Sequence, residues 1–372
     1  MRRLLLAGGG TGGHLFPAMA VGEAWREAFG ADADLLFVGT AGRIEARAVP
    51  EAGERFEAIE VSGIVGLRGW RKLLGLMRLP LALFQAIGIV RRFRPDLVLG
   101  AGGFASGPTV LAAWLLGVPT ALLEQNAMPG VTNRILAKFV RRIFTHFSQC
   151  EAWFPAHKIH RLGNPVRAAQ LKALQETQAK IPDSAEVNLL VIGGSQGSKA
   201  LNDILPLALA PLSPTLRQQL NIVHQCGRQG EPAEIEKNYL AQGLRAQVLP
   251  FMSDMAARYA WADLCICRSG AMTVSEMAIA GKPAVFVPFP QATHDHQTEN
   301  ARELVACGAA VLMAQKDLKS KLGLTLAHLL HDRAVLLRMG EAATAAAKPQ
   351  AARNIVGELA DLLGVGDEVA WA

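Results

Sequence analysis

Short apolar runs alternate with longer amphipathic stretches along the whole chain. In the first half, the runs predict strands at residues 3–7, 35–38, 97–99, 120–123 and 143–145. In the second half, they predict strands at residues 188–192, 219–224, 246–249, 264–267, 284–287 and 309–312. Their hydrophobicity is continuous rather than alternating, which is typical of strands buried on both faces. The pattern therefore predicts an α/β protein with parallel sheets covered by helices.

The pattern of a strand followed by a glycine loop recurs about half a chain later. Residues 4–12 read LLLAGGGTG, and residues 189–197 read LLVIGGSQG. This echo predicts two Rossmann-like, doubly wound domains, each opened by a strand and a glycine loop. Gly163-Asn164-Pro165 marks the joint. We expect one domain at residues 1–163 and a second at 164–351, with a C-terminal helix at about 352–372 packing back on the first.

Composition excludes several classes of protein. Of 372 residues, 51% are hydrophobic and 19% are charged, which excludes a disordered chain, a coiled coil and a collagen-like fibre. The five cysteines contain no Cys-x-x-Cys pair, so we expect neither a disulfide framework nor structural zinc, but a reduced protein of the cytosol. The longest apolar stretches, residues 79–90 and 110–118, fall short of the roughly 20 residues of a membrane-spanning helix.

Positive charge is concentrated in the first 160 residues, which carry 18 Lys and Arg against 12 Asp and Glu. Residues 61–95 hold seven basic residues and no acidic one, interleaved with bulky apolar side chains. This mixture suits a surface that meets anionic lipid headgroups. A core helix with a solvated basic face is the alternative. A nucleic-acid site is disfavoured, because a leucine-rich stripe lacks stacking aromatics and polar base-reading side chains.

Glycine clusters follow three of the predicted strands, at residues 8–13, 100–107 and 193–197. A strand, a glycine loop and a helix in succession direct backbone N–H groups and the positive end of the helix dipole at an anion. A tight turn without a ligand is the alternative for any one loop. The first loop fits G-x-G-x-x-G, but the second strand ends in Gly39-Thr40 rather than an acid, which disfavours NAD. The third loop lacks the Gly-Lys-Ser/Thr order of an ATP site.

Six motifs, in order along about 300 residues, resemble those of the MurG family. They are Gly9-Gly10-Thr11-Gly12-Gly13-His14, Glu124-Gln125-Asn126 with Pro129-Gly130 and Thr132-Asn133, Gly163-Asn164-Pro165-Val166-Arg167, Gly193-Gly194-Ser195-Gln196-Gly197, Arg268-Ser269-Gly270-Ala271-Met272-Thr273-Val274-Ser275-Glu276, and Asp295-His296-Gln297. The resemblance implies a GT-B fold, with the active site in the cleft between two Rossmann-like domains. It further implies an inverting, metal-independent transfer of GlcNAc from UDP-GlcNAc to the MurNAc 4-hydroxyl of lipid I, giving lipid II. The implied enzyme needs no cofactor and is peripheral to the cell membrane, on its cytoplasmic side.

The resemblance also implies which residues bind the donor. They are Thr11, Gly12, Gly13, Asn126, Arg167, Ser195, Met252, Ala271, Met272, Thr273, Val274, Ser275, Glu276 and Gln297. In this set, Glu276 accepts hydrogen bonds from the ribose, Met252 contacts uracil through its backbone, and Asn126 and Gln297 read the GlcNAc. By its own sequence, the segment from Ser269 is a helix start with a capping hydroxyl, which can take a diphosphate on backbone N–H groups. In isolation, Glu276 would be a solvated helix carboxylate.

His14 is the candidate catalytic base, because a helix N-terminus disfavours the imidazolium and keeps the ring able to accept a proton. A helix-capping histidine is the alternative. The first-domain glycine loops are expected to face the acceptor diphosphate. The acceptor and membrane surface is assigned to Gly102, Gly103, Arg68, Arg71, Lys72 and Arg78.

No metal site is expected. Asp32-Ala33-Asp34 precedes a strand, whereas a sugar-nucleotide metal motif should follow one. His294-Asp295-His296 runs directly into the matched Gln297, so a substrate loop is favoured there.

Two other functions remain open from the sequence. A UDP-GlcNAc 2-epimerase shares the implied fold and donor, but needs neither acceptor nor lipid-facing patch. A non-catalytic membrane scaffold is disfavoured by the retention of His14, Glu276 and all three glycine loops. Expected partners are UDP-GlcNAc, lipid I and an anionic membrane surface, but no nucleic acid. Contacts with other cell-wall and division proteins are left open.

Overall fold

The computed structural model describes residues 1–61, 70–176, 186–194, 196–292, 295–369 and 371; for residues 70–78 it describes the backbone. The chain forms two compact units. Unit 1 comprises Met1–Ala168 and Pro349–Ala372, and unit 2 comprises Ala169–Lys348. From the sequence, the boundaries fall after residues 163 and 351; in the structure, they fall after residues 168 and 348.

Unit 1 is built on a parallel sheet with the strand order β3-β2-β1-β4-β5-β6-β7. Its strands are β1 (Arg2–Ala7), β2 (Ala33–Thr40), β3 (Phe56–Ile59), β4 (Leu97–Gly100), β5 (Thr120–Glu124), β6 (Arg142–Thr145) and β7 (Ile159–Arg161). The helices between them are α1 (Gly12–Phe29), α2 (Glu45–Glu51), α3 (Trp70–Phe93), α4 (Ser106–Leu115) and α5 (Val131–Leu136). Every described strand pair is parallel, as the continuous hydrophobic runs predict.

The central strand β1 shows why these runs are continuous. Leu4 and Leu6 are buried in a core with α1, whereas Leu5 and Ala7 are buried in a second core with α3 and α4. Because successive side chains of a strand point to opposite faces, the part of β1 that is covered on both faces, residues 4–7, has no polar position.

The sequence pattern missed β3 and β7, which are the two edge strands of this sheet. Their sequences, FEAI and IHR, are short and contain polar residues, and both strands are only partly buried. An edge strand has a neighbour on one side only, so its side chains need not be uniformly apolar.

Unit 2 has a parallel sheet of strand order β10-β9-β8-β11-β12-β13. Its strands are β8 (Val187–Ile192), β9 (Leu220–Gln225), β10 (Arg245–Leu249), β11 (Leu264–Cys267), β12 (Ala284–Phe286) and β13 (Ala310–Leu312). Its helices are α6 (Ala168–Glu176), α7 (Lys199–Leu209), α8 (Pro214–Gln219), α9 (Pro232–Ala241), α10 (Met255–Trp261), α11 (Ala271–Ile279), α12 (His296–Ala306), α13 (Leu318–His331) and α14 (Arg333–Ala346). The predicted strands of this half all form.

The last helix, α15 (Ala351–Leu362), belongs to unit 1. Ile355, Val356 and Leu359 are buried in the core that also contains Trp25 of α1. None of the helices in the described part of the chain combines the length and hydropathy that a membrane-spanning helix requires.

Candidate active site

The first glycine loop of unit 1 connects β1 to α1. Thr11 is the N-cap residue of α1, and Gly12 and Gly13 form the start of its first turn. His14 follows in the same turn, and its Nδ1 lies 3.1 Å from the Thr11 hydroxyl oxygen. His14 is therefore within the helix rather than at its cap. If Nδ1 carries the ring proton and donates it to Thr11, Nε2 is left as the proton acceptor.

The second glycine loop lies against the first. Gly102 has a φ of +90°, and a Cβ placed there would lie 2.7 Å from Cδ2 of His14. Gly103 has a φ of +83°, and its Cβ would lie 2.3 Å from the carbonyl oxygen of Gly9. A side chain at either position would be strained and would collide with the first loop. These two predicted acceptor residues thus contact the His14 loop.

A buried carboxylate that the sequence analysis missed supports the first loop from below. Glu45, the first residue of α2, is only 1% exposed. Its Oε2 accepts a hydrogen bond from the backbone N–H of Gly10 at 2.8 Å, and its Oε1 accepts one from that of Thr40 at 3.0 Å. A lone Glu outside any motif gives no sequence signal for such a role.

Glu124 at the end of β5 organises the loop that carries Asn126. The buried Glu124 carboxylate accepts hydrogen bonds from the backbone N–H groups of Asn126 (3.0 Å) and Gly130 (3.1 Å), and from Nδ2 of Asn133 (2.9 Å). Burial raises the pKa of Glu124 above its ordinary value, and these hydrogen bonds oppose that rise. Asn126 itself is partly exposed, and the hydrogen bond from its backbone N–H to the buried Glu124 carboxylate fixes its position.

Arg167 is paired with α1 in unit 1. Its Nε donates to Oε1 of Glu23 at 2.6 Å, and the backbone N–H of Ala168 donates to Oε2 of the same carboxylate at 3.0 Å. These contacts explain why unit 1 extends to Ala168, beyond the predicted boundary.

In unit 2, the segment after β11 forms α11, which begins at Ala271. The predicted capping hydroxyl is wrong: Gly270 is the N-cap residue, and no side chain caps this helix. The first turn therefore keeps backbone N–H groups that have no acceptor within the helix. Of the predicted donor-binding residues on α11, Ala271, Val274 and Ser275 are buried, whereas Met272, Thr273 and Glu276 are partly exposed. The Ser275 hydroxyl donates to the carbonyl of Ala271 at 3.1 Å.

Glu276 is not a solvated helix carboxylate. Its Oε2 accepts a hydrogen bond from the Tyr259 hydroxyl, and its Oε1 accepts one from Nε2 of Gln170, both at 2.8 Å. Burial raises the pKa of the Glu276 carboxyl, and the two hydrogen bonds oppose the rise. The sequence analysis named neither Tyr259 nor Gln170.

Arg268, at the end of β11, is a buried cation that pairs with no carboxylate among the described residues. Its guanidinium donates to the carbonyls of Val287 and Pro288, both at 3.0 Å, and to Oγ of Ser198 at 2.6 Å. Burial lowers its pKa to about 10, so it keeps its charge at neutral pH. Ser198 is the N-cap residue of α7, which follows the third glycine loop.

Of three further predicted donor residues, the structure describes Met252 and Gln297. Met252 is buried in the segment before α10, and Ser195 falls outside the described residues. Gln297, in the first turn of α12, uses its side-chain oxygen to accept a hydrogen bond from the N–H of Phe289 at 2.9 Å. Gln297 is partly exposed.

The predicted membrane surface is described only in part. Arg68 lies outside the described residues, and Arg71, Lys72 and Arg78 lie on the part of α3 whose side chains are not described. Farther along α3, Phe84 is 72% exposed and Leu81 is 47% exposed. Among the described residues, no group of three or more His, Cys, Asp or Glu side chains is placed to hold a metal ion.

Comparison with known proteins identifies the family. The model of the glycosyltransferase family 28 N-terminal domain matches residues 4–145, and that of the C-terminal domain matches residues 188–355. The UDP-N-acetylglucosamine--N-acetylmuramyl-(pentapeptide) pyrophosphoryl-undecaprenol N-acetylglucosamine transferase of Anaeromyxobacter sp. (strain Fw109-5) is 43% identical over 369 residues, which cover 97% of this chain and 93% of that protein. The crystal structure of Acinetobacter baumannii MurG matches with a TM-score of 0.79 and 34% identity, over 98% of this chain and 99% of that one. The chain belongs to the MurG family.

The predicted GT-B fold, with two Rossmann-like parallel-sheet domains, is thereby confirmed. So is the prediction of an enzyme: this MurG family member is a glycosyltransferase of peptidoglycan synthesis. A UDP-GlcNAc 2-epimerase from Neisseria meningitidis, solved with UDP-GlcNAc bound, also matches with a TM-score of 0.68 over 97% of this chain and 100% of that one, but at 14% identity. That likeness extends to the fold alone.

Proposed function

We propose that this glycosyltransferase moves GlcNAc from UDP-GlcNAc to the MurNAc 4-hydroxyl of lipid I, with inversion, at the cytoplasmic face of the membrane. The observation that carries the proposal is the arrangement of α11, which follows β11 directly. Glu276 lies five residues after Ala271, so about 7–8 Å of helix separates it from the first N–H groups. This distance suits a nucleoside diphosphate with its diphosphate at the helix start and its ribose at Glu276.

On the donor side, positive charges held in fixed positions would stabilise the leaving UDP. The amino terminus of α11 carries a partial positive charge that favours the developing charge of the leaving UDP. Arg268 adds a full positive charge directly before that helix and is held by buried acceptors. Because these groups are already oriented, little reorganisation is required when the bond to UDP breaks. The relatives named above supply the identity of the sugar, GlcNAc.

On the acceptor side, His14 is the proposed base. Its Nδ1 lies within hydrogen-bond distance of Thr11, which fits the tautomer whose Nε2 accepts a proton. Nε2 would take the proton of the 4-hydroxyl as that oxygen attacks the anomeric carbon. A single displacement of this kind inverts the configuration of the donor sugar. Gly102 leaves the space beside the ring that a side chain would fill.

Membrane docking is proposed for the face formed by α3 and α4. The acceptor cannot leave the bilayer, because its long prenyl chain is too costly to expose to water. Large apolar side chains are exposed on both helices: Leu81, Phe84, Trp114 and Leu115. Together with the basic residues of segment 61–95, they suit insertion among anionic headgroups. An interface of this kind supports a peripheral position at the membrane surface.

The test is incubation of the enzyme with UDP-GlcNAc and a short-chain analogue of lipid I. We expect UDP and a disaccharide lipid in equal amounts, and a β-linkage by NMR. Without acceptor, UDP-GlcNAc should persist unchanged. Conversion of UDP-GlcNAc to its 2-epimer without acceptor would support the epimerase instead, and absence of both products would support a scaffold.

A further inference from the structure

The hydroxyl of Tyr259 donates a hydrogen bond to the Glu276 carboxylate within unit 2. Tyr259 is 1% exposed in α10, and its hydroxyl donates to Oε2 of Glu276 at 2.8 Å. From α6, the amide of Gln170 donates to Oε1 at the same distance. Each oxygen of the Glu276 carboxylate is therefore bound by one protein donor, and the plane of the carboxylate is fixed by both.

The two donors leave a defined capacity for a ligand. An ionised carboxylate offers about four lone pairs, two on each oxygen. Tyr259 and Gln170 use one on each oxygen, so one lone pair on each oxygen stays available. A vicinal cis-diol, such as the 2′- and 3′-hydroxyls of ribose, can donate two hydrogen bonds to such a pair of oxygens.

We propose that Tyr259 and Gln170 are positioning residues that orient the Glu276 carboxylate for a ribose diol, and that Tyr259 thereby sets the preference for ribonucleotides over 2′-deoxyribonucleotides. The inference rests on the proposed function, since the ribose is that of UDP. Tyr259 is well placed for this role, because its helix follows directly from the segment of Met252, which is assigned to the uracil. One short segment then links base recognition to ribose recognition.

The protonation states agree with this geometry. Burial raises the pKa of Tyr259 well above its ordinary value, so its hydroxyl remains a donor. The groups that face the carboxylate are Tyr259 and Gln170, with the Cys267 thiol of β11 also near. Loss of the Tyr259 hydrogen bond removes a contact that favours the ionised carboxylate. The Glu276 pKa should then rise further, and ribose recognition should weaken at a higher pH than in the parent.

The chain offers a matched control, because it has two tyrosines. Tyr239 is as deeply buried in the same unit, and its hydroxyl lies 3.0 Å from Nδ1 of His224 rather than near Glu276. The experiment measures the dissociation constants of UDP and 2′-deoxy-UDP by calorimetry on the full chain. In Tyr259→Phe, we expect the ratio of the two constants to fall about three- to tenfold. In Tyr239→Phe, the ratio should stay at the parent value.

The ratio of the two dissociation constants distinguishes a positioning role of Tyr259 from a general loss of nucleotide binding. Equal weakening of both nucleotides in Tyr259→Phe, or an unchanged ratio, would overturn the inference. Gln170→Ala, at a partly exposed position, should lower the ratio less but in the same direction; an unchanged ratio there also counts against the inference. Glu276→Gln tests the proposed function separately. If that variant keeps the parent ratio, the ribose role itself fails; if it loses the ratio while Tyr259→Phe keeps it, only the positioning role fails.

Discussion

Replacement of Glu45 by Gln should destabilise unit 1 and displace the loop of His14. The Glu45 carboxylate is almost fully buried and accepts one backbone hydrogen bond on each oxygen, from Gly10 and from Thr40. A glutamine keeps one acceptor oxygen and presents an NH2 group in place of the other. One backbone N–H, of Gly10 or Thr40, would then face another donor at the buried end of the Glu45 side chain.

The expected magnitude follows from that geometry. A hydrogen bond to a charged group contributes roughly 1.5–3 kcal/mol, and a buried donor left unpaired costs about 1–3 kcal/mol. These two figures overlap, because both count the same lost contact. We therefore expect Glu45→Gln to lower the free energy of unfolding of unit 1 by about 1.5–3 kcal/mol.

Urea denaturation followed by tryptophan fluorescence measures this loss. Of the six tryptophans, five belong to unit 1, and Trp25 is fully buried in its core. The matched control is Glu51→Gln on the same helix, where the side chain is 64% exposed and lies 3.5 Å from Arg47. An exposed pair of this kind contributes little, so the control should stay within about 0.5 kcal/mol of the parent.

The functional readout is a split between binding and turnover. Because Glu45 supports unit 1, the affinity of unit 2 for UDP should be unchanged, while turnover falls with the displaced glycine loop. If Glu45→Gln matched Glu51→Gln in both stability and turnover, the proposed support of the loop would be refuted.

Three further predictions follow from other sites. His14→Ala should lower turnover by about 10²–10⁴ and leave UDP-GlcNAc affinity within a few-fold; single-turnover kinetics within tenfold of the parent would remove His14 as the base. Leu81→Glu with Phe84→Glu should abolish sedimentation with anionic vesicles but not turnover of a short-chain acceptor, whereas Leu324→Glu, at a 76% exposed leucine of unit 2, should leave vesicle binding intact. Burial lowers the pKa of His224 to about 3, so below about pH 6.5 the unfolded chain binds a proton at this residue and the folded chain does not. Between pH 7 and pH 5, this difference should lower the free energy of unfolding by about 2 kcal/mol. Urea unfolding at each pH should show this loss in the parent but not in His224→Gln.

Much of the fold was predictable because burial on two faces leaves a direct record in the sequence. Central strands such as β1 and β8 need apolar residues along their fully buried parts, residues 4–7 and 189–192, so these parts read as continuous runs followed by glycine. The edge strands β3 and β7 carry no such record, because they are only partly buried. The motifs likewise single out His14 and Glu276 as candidate site residues, since residue types at fixed spacing around a glycine loop or a helix start are local features.

What supports those residues was decided by the tertiary structure. The Gly10 amide meets Glu45 from 35 positions away, and the Gln170 amide meets Glu276 from 106 positions away. A buried carboxylate requires donors, but the sequence does not say which backbone N–H or side chain supplies them. That choice depends on which loops and helices the parallel strand order brings to the same edge of a sheet. Hydrophobic periodicity and motif spacing can therefore be identified from the sequence alone. Hydrogen bonds between distant segments, by contrast, exist only once the sheets have formed.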